Sequence, residues 1–183
     1  MFNNTNCASH LKDKDNYLEE LKTFLNAHSN ISSINLAGMT FSDLDLSNKN
    51  FSFCNFSHTQ FNNCNFQKSK FYGVFFDFTQ LIQCNFNFSN IVWTAFSGAK
   101  IQNCQFMESD ILRCGFIGVK AQNTKFNNSN LYSSRFINSH LSQVEFVDCN
   151  ILRTNYEYAT LTDVNFKYSN KEEAYIDEEI KNK

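Results

Sequence analysis

From Ile31 to Phe166 every fifth residue is apolar, and the register never slips. These 28 positions hold Phe, Leu, Ile, a single Tyr (Tyr156) and a single Ala (Ala121), and 15 of the chain's 21 phenylalanines fall among them. A five-residue period fits neither an amphipathic helix, which repeats about every 3.6 residues, nor a half-buried strand, which alternates about every two. A strict short period held over about 140 residues predicts a solenoid, in which each turn of chain stacks on the last. Taking the fifth-position residue as the centre, the position two before it is restricted as well. From Cys54 onward it holds only small residues, as in Cys64, Ser69, Val74, Thr79, Cys84 and Ser89. The residue just before the centre is mostly Asn, Asp, Gln or Lys, and the two after it are mostly polar. Two positions in five therefore point inward, one large and one small, while three face water.

Stretches such as Cys64-Asn65-Phe66-Gln67-Lys68, Cys84-Asn85-Phe86-Asn87-Phe88 and Ser129-Asn130-Leu131-Tyr132-Ser133 carry this pattern. The chain resembles the pentapeptide-repeat family, whose motif is Ala, then Asp or Asn, then Leu or Phe, then two variable residues. The resemblance implies an all-β solenoid, a right-handed quadrilateral β-helix with four five-residue sides per coil. Residues 31–170 would then make about seven 20-residue coils, roughly 30–35 Å long at about 4.8 Å per coil. From Leu81 onward the centres alternate Phe with Leu or Ile, Ala121 being the small exception. With four sides per coil, that alternation predicts two facing Phe ladders with aliphatic ladders between them, and a gap at Ala121. Coils one and two are the least regular, with Met39, Leu44 and Lys49 where small residues belong.

Such a rod needs caps, because its ends expose core and unpaired strand edges. Residues 1–30 are expected to supply an N-terminal segment with a capping helix over 16–28. There Asn16 would be the N-cap with Glu19 three residues on, and Leu18, Leu21 and Leu25 the stripe on the coils. The acidic stretch 171–183 reads as a short C-terminal helix and tail, with Tyr175, Ile176 and Ile180 placed to cover the last coil. Six of the seven cysteines occupy the small inward position. They read as small buried hydrophobes rather than disulfides or metal ligands, and a reducing cytoplasm is their natural home. No apolar run follows Met1-Phe2 and no stretch is long enough to span a bilayer, so a cytoplasmic location is expected and no membrane partner. The chain has no proline, which suits a fold in which almost every backbone N–H bonds the next coil.

No catalytic constellation emerges. His10, His28, His58 and His140 are scattered, no glycine-rich phosphate loop is present, and a filled interior leaves no room for a substrate. Neither an enzyme, a cofactor, a metal site nor a small-molecule substrate is expected. Function must lie on the outer faces. Stacking residues twenty apart places Asn63, Gln83, Asn103, Asn123 and Gln143 in one solvated amide column. Another column runs Ser52, Tyr72, Val92, Leu112, Tyr132, Leu152, flanked by Phe53 and Trp93, with Phe75, Phe78, Ile117 and Ile137 on the adjoining side. An apolar stripe in register is the candidate partner-binding site, and its residues are Phe53, Tyr72, Val92, Trp93, Leu112, Tyr132 and Leu152. The leading expectation is a non-enzymatic interaction module that binds a protein partner or itself as a homodimer. The resemblance also implies an alternative, because its quinolone-resistance members are bacterial proteins that mimic DNA and bind gyrase or topoisomerase IV. Residues 31–170 carry ten Lys/Arg against nine Asp/Glu, a net of +1, without the dense negative charge of a DNA surrogate. No basic stripe exists either, so direct nucleic-acid binding is not expected.

Overall fold

The computed structural model describes residues 14–177, with side chains from residue 17 onward. Cys7, His10 and Ile180 therefore lie outside the described residues. A helix, Lys14–Ala27, precedes a solenoid whose chain advances one rung every twenty residues. Two alternate sides of the coil form parallel sheets, one along the whole rod and one over its first five coils. One has five strands (Asn30–Ser32, Asn50–Ser52, Lys70–Tyr72, Asn90–Val92, Asp110–Leu112). The other has seven, beginning Thr40–Ser42 and Gln60–Asn62 and ending at Thr160–Thr162. Partners are twenty apart throughout, for example Phe51 with Phe71 and Ile91 with Ile111. The two intervening sides are held by single bridges such as Asn55 with Phe75 and Asn65 with Asn85. Hydrogen bonds run from coil to coil on these sides too: Leu36 N–H donates to Asn55 O at 2.8 Å, and Asn55 N–H to Ile34 O at 2.9 Å. The solenoid expected from the five-residue period, with the four sides per coil that the resemblance implies, is the structure observed.

Each position of the repeat has its physical reason. The centres from Ile31 to Tyr156 and Phe166 are buried, and Leu161 is partly so. Phe76, Phe96, Phe116 and Phe136 stack on one bridging side with centroids 4.5–4.9 Å apart, and Phe66, Phe86, Phe106, Phe126 and Phe146 stack on the opposite one at 4.6–5.0 Å. From Leu81 on, aliphatic centres fill the two sheet sides, where pleated backbone suits branched side chains. At many small positions the Ser, Thr or Cys hydrogen reaches a centre carbonyl one coil back. Thr59 Oγ1 donates to Leu36 O at 2.7 Å, Ser129 Oγ to Phe106 O at 2.7 Å and Cys104 Sγ to Leu81 O at 3.4 Å. The Asn or Asp before the centre closes an Asx turn on the bridging sides, as where Ser57 N–H donates to Asn55 Oδ1 at 3.0 Å. The residue two past each centre turns the corner with left-handed φ, from Ser33 to Tyr168.

The ends differ in detail from the sequence expectation. Because the helix already includes Lys14, Asn16 lies within it rather than capping it. Leu21 and Leu25 are buried against the first coils, with Leu18 packed beside them, as their spacing requires. At the other end the expected C-terminal helix is a single 3-10 turn, Lys171–Glu173. The chain then rejoins the coil: Tyr175 pairs with Asn155, and Ala174 and Ile176 are buried in the small and centre positions of an eighth rung. The five-residue register thus persists past Phe166, hidden in the sequence by Lys171 at the intervening centre.

Candidate functional site

The corners set the geometry of the outer surface. Left-handed φ costs a non-glycine residue roughly 1–2 kcal/mol, least for Asn and Asp. Asn63, Asn103, Asn123, Gly73 and Gly98 meet that demand cheaply. Several corners instead carry large aromatics: Phe53 at φ 53°, Phe78 at 56°, Phe88 at 62° and Trp93 at 53°. All four are exposed, Phe53 at 59% and Trp93 at 53%. Two have a packing reason. The Phe53 and Phe78 rings lie over the bare backbone of the corner glycine one coil on, where a Cβ added to Gly73 or Gly98 would come within 2.9 Å or 2.6 Å of the ring.

Phe53, Tyr72 and Trp93 form one cluster on the edge of the five-stranded sheet. Phe53 meets Tyr72 edge-on at 5.4 Å, and Tyr72 meets Trp93 at 5.5 Å and 41°. Phe75, also exposed, lies on the adjoining side. Tyr72, Val92 and Leu112 are in register within the sheet. Tyr132 and Leu152 prolong the column where the chain adopts turn-type rungs, with Arg113 N–H donating to Tyr132 O at 3.0 Å and Ser133 N–H to Leu152 O at 3.1 Å. Val92, Leu112, Tyr132 and Leu152 are half-buried, whereas Tyr72 is 42% exposed. The column keeps its backbone register from Tyr72 to Leu152, but its accessible surface is concentrated in the aromatic cluster.

Beside that cluster lies a feature the sequence reading missed. Arg113, Arg135 and Arg153 are the chain's only arginines, and all three sit along the edge between the five-stranded sheet and the adjoining bridging side. A shallow groove of about 310 Å³ runs there, between Trp93, Arg113, Arg135 and Ile117, over Ala95, Ser97 and Gly115. Arg153 Nη1 donates to the Tyr132 hydroxyl at 3.3 Å. Stacking at intervals of twenty puts Arg113 and Arg153 in one column. Arg135 joins them only when the chain is read across the corner to the next side.

Other polar groups are used by the fold. Ser47 N–H bonding holds the Asp45 carboxyl below its ordinary range, and Asn127 does the same for Glu145, which also pairs with Lys125 at 3.1 Å. Both lie on the far bridging side. Burial pushes the Cys114 thiol up to about 12 and the Cys149 thiol to about 11. Hydrogen bonding along the Cys64–Cys84–Cys104 ladder carries Cys84 to about 12. Among the described residues no three His, Cys, Asp or Glu side chains converge as metal ligands, and no helix is long and apolar enough to cross a membrane.

Two family models match the chain: "SV2A/B/C luminal domain" over residues 88–156 and "Pentapeptide repeats (8 copies)" over residues 50–87. No curated protein matches it. Similar solved structures include QnrB1, a plasmid-mediated fluoroquinolone resistance protein, at 14% identity over 76% of this chain and 81% of that one, TM-score 0.41. A pentapeptide repeat protein from the Arabidopsis thaliana thylakoid lumen matches at 16% identity over 63% and 69%, TM-score 0.44. HetL, from the cyanobacterium Nostoc and involved in heterocyst differentiation regulation, matches at 14% identity over 85% and 94%, TM-score 0.29.

Proposed function

We propose that this chain, a member of the pentapeptide-repeat family, is a non-enzymatic scaffold. Its Phe53–Tyr72–Trp93 corner, with the ridge of Val92, Leu112, Tyr132 and Leu152 beside it, binds a protein partner or a second copy of the chain. One observation carries the reading. Trp93 occupies a left-handed corner that Asn or Gly would fill at lower cost, and its indole is half exposed against Tyr72. A large aromatic that works against its own backbone and stays exposed serves an interface better than a core. The six buried thiols favour a reducing compartment such as the cytoplasm. The DNA-mimic reading asks for dense negative charge, and coils with a net charge of +1 favour the interaction reading over it.

The test is a double variant, Trp93→Asn with Tyr72→Thr, which suits both the corner and the strand. Its melting temperature should equal or exceed that of the wild type, while self-association in sedimentation, or capture of the native partner, is lost. Unchanged sedimentation together with an unchanged set of captured proteins would reject the reading.

A further inference from the structure

We infer that the groove between Trp93, Arg113 and Arg135 binds a carboxylate-bearing extended segment of a partner protein. The inference rests on the interaction reading above and names the chemistry of the partner. Three placements in the groove run against the needs of the fold. Arg113 holds a left-handed corner at φ 55°, a conformation Asn would adopt more cheaply. Arg135 stands before its centre, where Asn55 and Asn155 on the same side accept the N–H two residues on. An arginine cannot close that turn. Gly115 stands in the same column as Arg135 and pairs with it. Its φ is not left-handed, and a Cβ added there would meet nothing within 4 Å. Neither backbone conformation nor crowding asks for glycine at 115, and glycine within paired backbone is destabilising relative to alanine. Gly115 is itself buried at the bottom of the groove, and the side chain it lacks leaves room above it for another backbone to pass closely.

Charge selects the occupant. No hydrogen-bond or ion-pair partner engages the Arg113 or Arg135 guanidinium among the described residues. Two free guanidiniums flanking a bare floor match two carboxylates on one extended strand, each taken bidentate. Trp93 and Ile117 flank them with apolar surface, which suits a peptide carrying acidic and apolar side chains together. A nucleic acid would want a longer basic track, and the coils are close to neutral overall.

Peptide-phage selection on the full chain tests this, with Gly115→Val as the blocking variant and Arg113→Gln/Arg135→Gln as the charge variant. Valine suits paired backbone and its Cβ would meet nothing within 4 Å, so Gly115→Val should fold as well as the wild type, which its thermal melt checks. Selected peptides should be enriched in Asp and Glu beside an apolar residue. A synthetic copy of the best one should bind both variants about tenfold or more weakly. Its Gln-for-Glu version should bind the wild type equally weakly. Equal binding to wild type and Gly115→Val, enrichment without acidic residues, or tighter binding of a single-stranded oligonucleotide than of the acidic peptide would each overturn the inference. If peptides lacking acidic residues are selected and Trp93→Asn abolishes their binding, the aromatic-corner reading stands while this one falls.

Discussion

Tyr156 follows five phenylalanines in its column, from Phe56 to Phe136. Its ring continues the Phe ladder, stacked on Phe136 at 5.2 Å and 8°. Its hydroxyl is buried with no hydrogen-bond partner, so the native state holds a desolvated donor that water satisfies in the unfolded chain. Tyr156→Phe removes that group and keeps the ring. It should stabilise the protein by about 1 kcal/mol, seen as a higher urea midpoint and a melting temperature raised by roughly 2–4 °C. A loss of stability would mean that the hydroxyl is bonded after all. The identity of each centre was legible at this scale because a large apolar side chain every five residues has no other place to go. The corner strain was not legible. Phe53, Lys68, Glu108 and Trp93 share no side-chain property, and only the backbone shows that all four turn corners at positive φ.

At the scale of elements, the N-terminal helix is fixed to the rod by packing and by one charge. Leu21 and Leu25 bury their side chains against the first coils. Lys49 sits at an inward position, 8% exposed, and its Nζ donates to His28 O at 3.1 Å, just past the helix C-terminus. An ammonium there satisfies an orphan carbonyl and faces the negative end of the helix dipole. This explains the lone charge in a column of small residues. Lys49→Met keeps the stem and removes the donor, and should loosen the helix by about 1.5–3 kcal/mol. Hydrogen exchange should quicken over residues 17–27 while the amides of Ile91, Ile111 and Ile151 keep their protection. Equal protection of the helix in wild type and variant would show that packing alone holds it. The helix was legible from its leucine spacing, but its start was not, because Asn16 is a capping residue type used inside the helix. The last rung was concealed for a similar reason: one lysine at a centre position broke the pattern that Ala174 and Ile176 resume. The arginine edge was illegible for a third reason, since its members belong to two sides of the coil and meet only across a corner.

Over the whole molecule, the same ladder that supplies the core makes the fold sensitive to alkali. Burial raises the Cys54, Cys114 and Cys149 thiols, and hydrogen bonding along the ladder, with burial, raises Cys64 and Cys84. In the unfolded chain these thiols ionise near pH 8.5. Between that value and about 11–12, where Cys149, Cys84 and Cys114 titrate in the native state, the folded protein holds protons that the unfolded chain has released. The native state binds more protons, so stability is whole below pH 8.5 and falls as pH rises. Each such thiol contributes up to about 1.4 kcal/mol per pH unit. Several acting together rival the 5–15 kcal/mol that holds a typical domain folded. Urea midpoints should therefore be level from pH 7 to 8 and drop steeply between pH 8.5 and 9.5. Serine already fills the same position at Ser89, Ser109 and Ser129, each donating to the centre carbonyl one coil back. A variant with Ser at 54, 64, 84, 114 and 149 should consequently keep the coil while flattening the alkaline limb. Coincident pH profiles for the two proteins would show that the thiols are not what loses stability, and would place the alkaline transition in some other group.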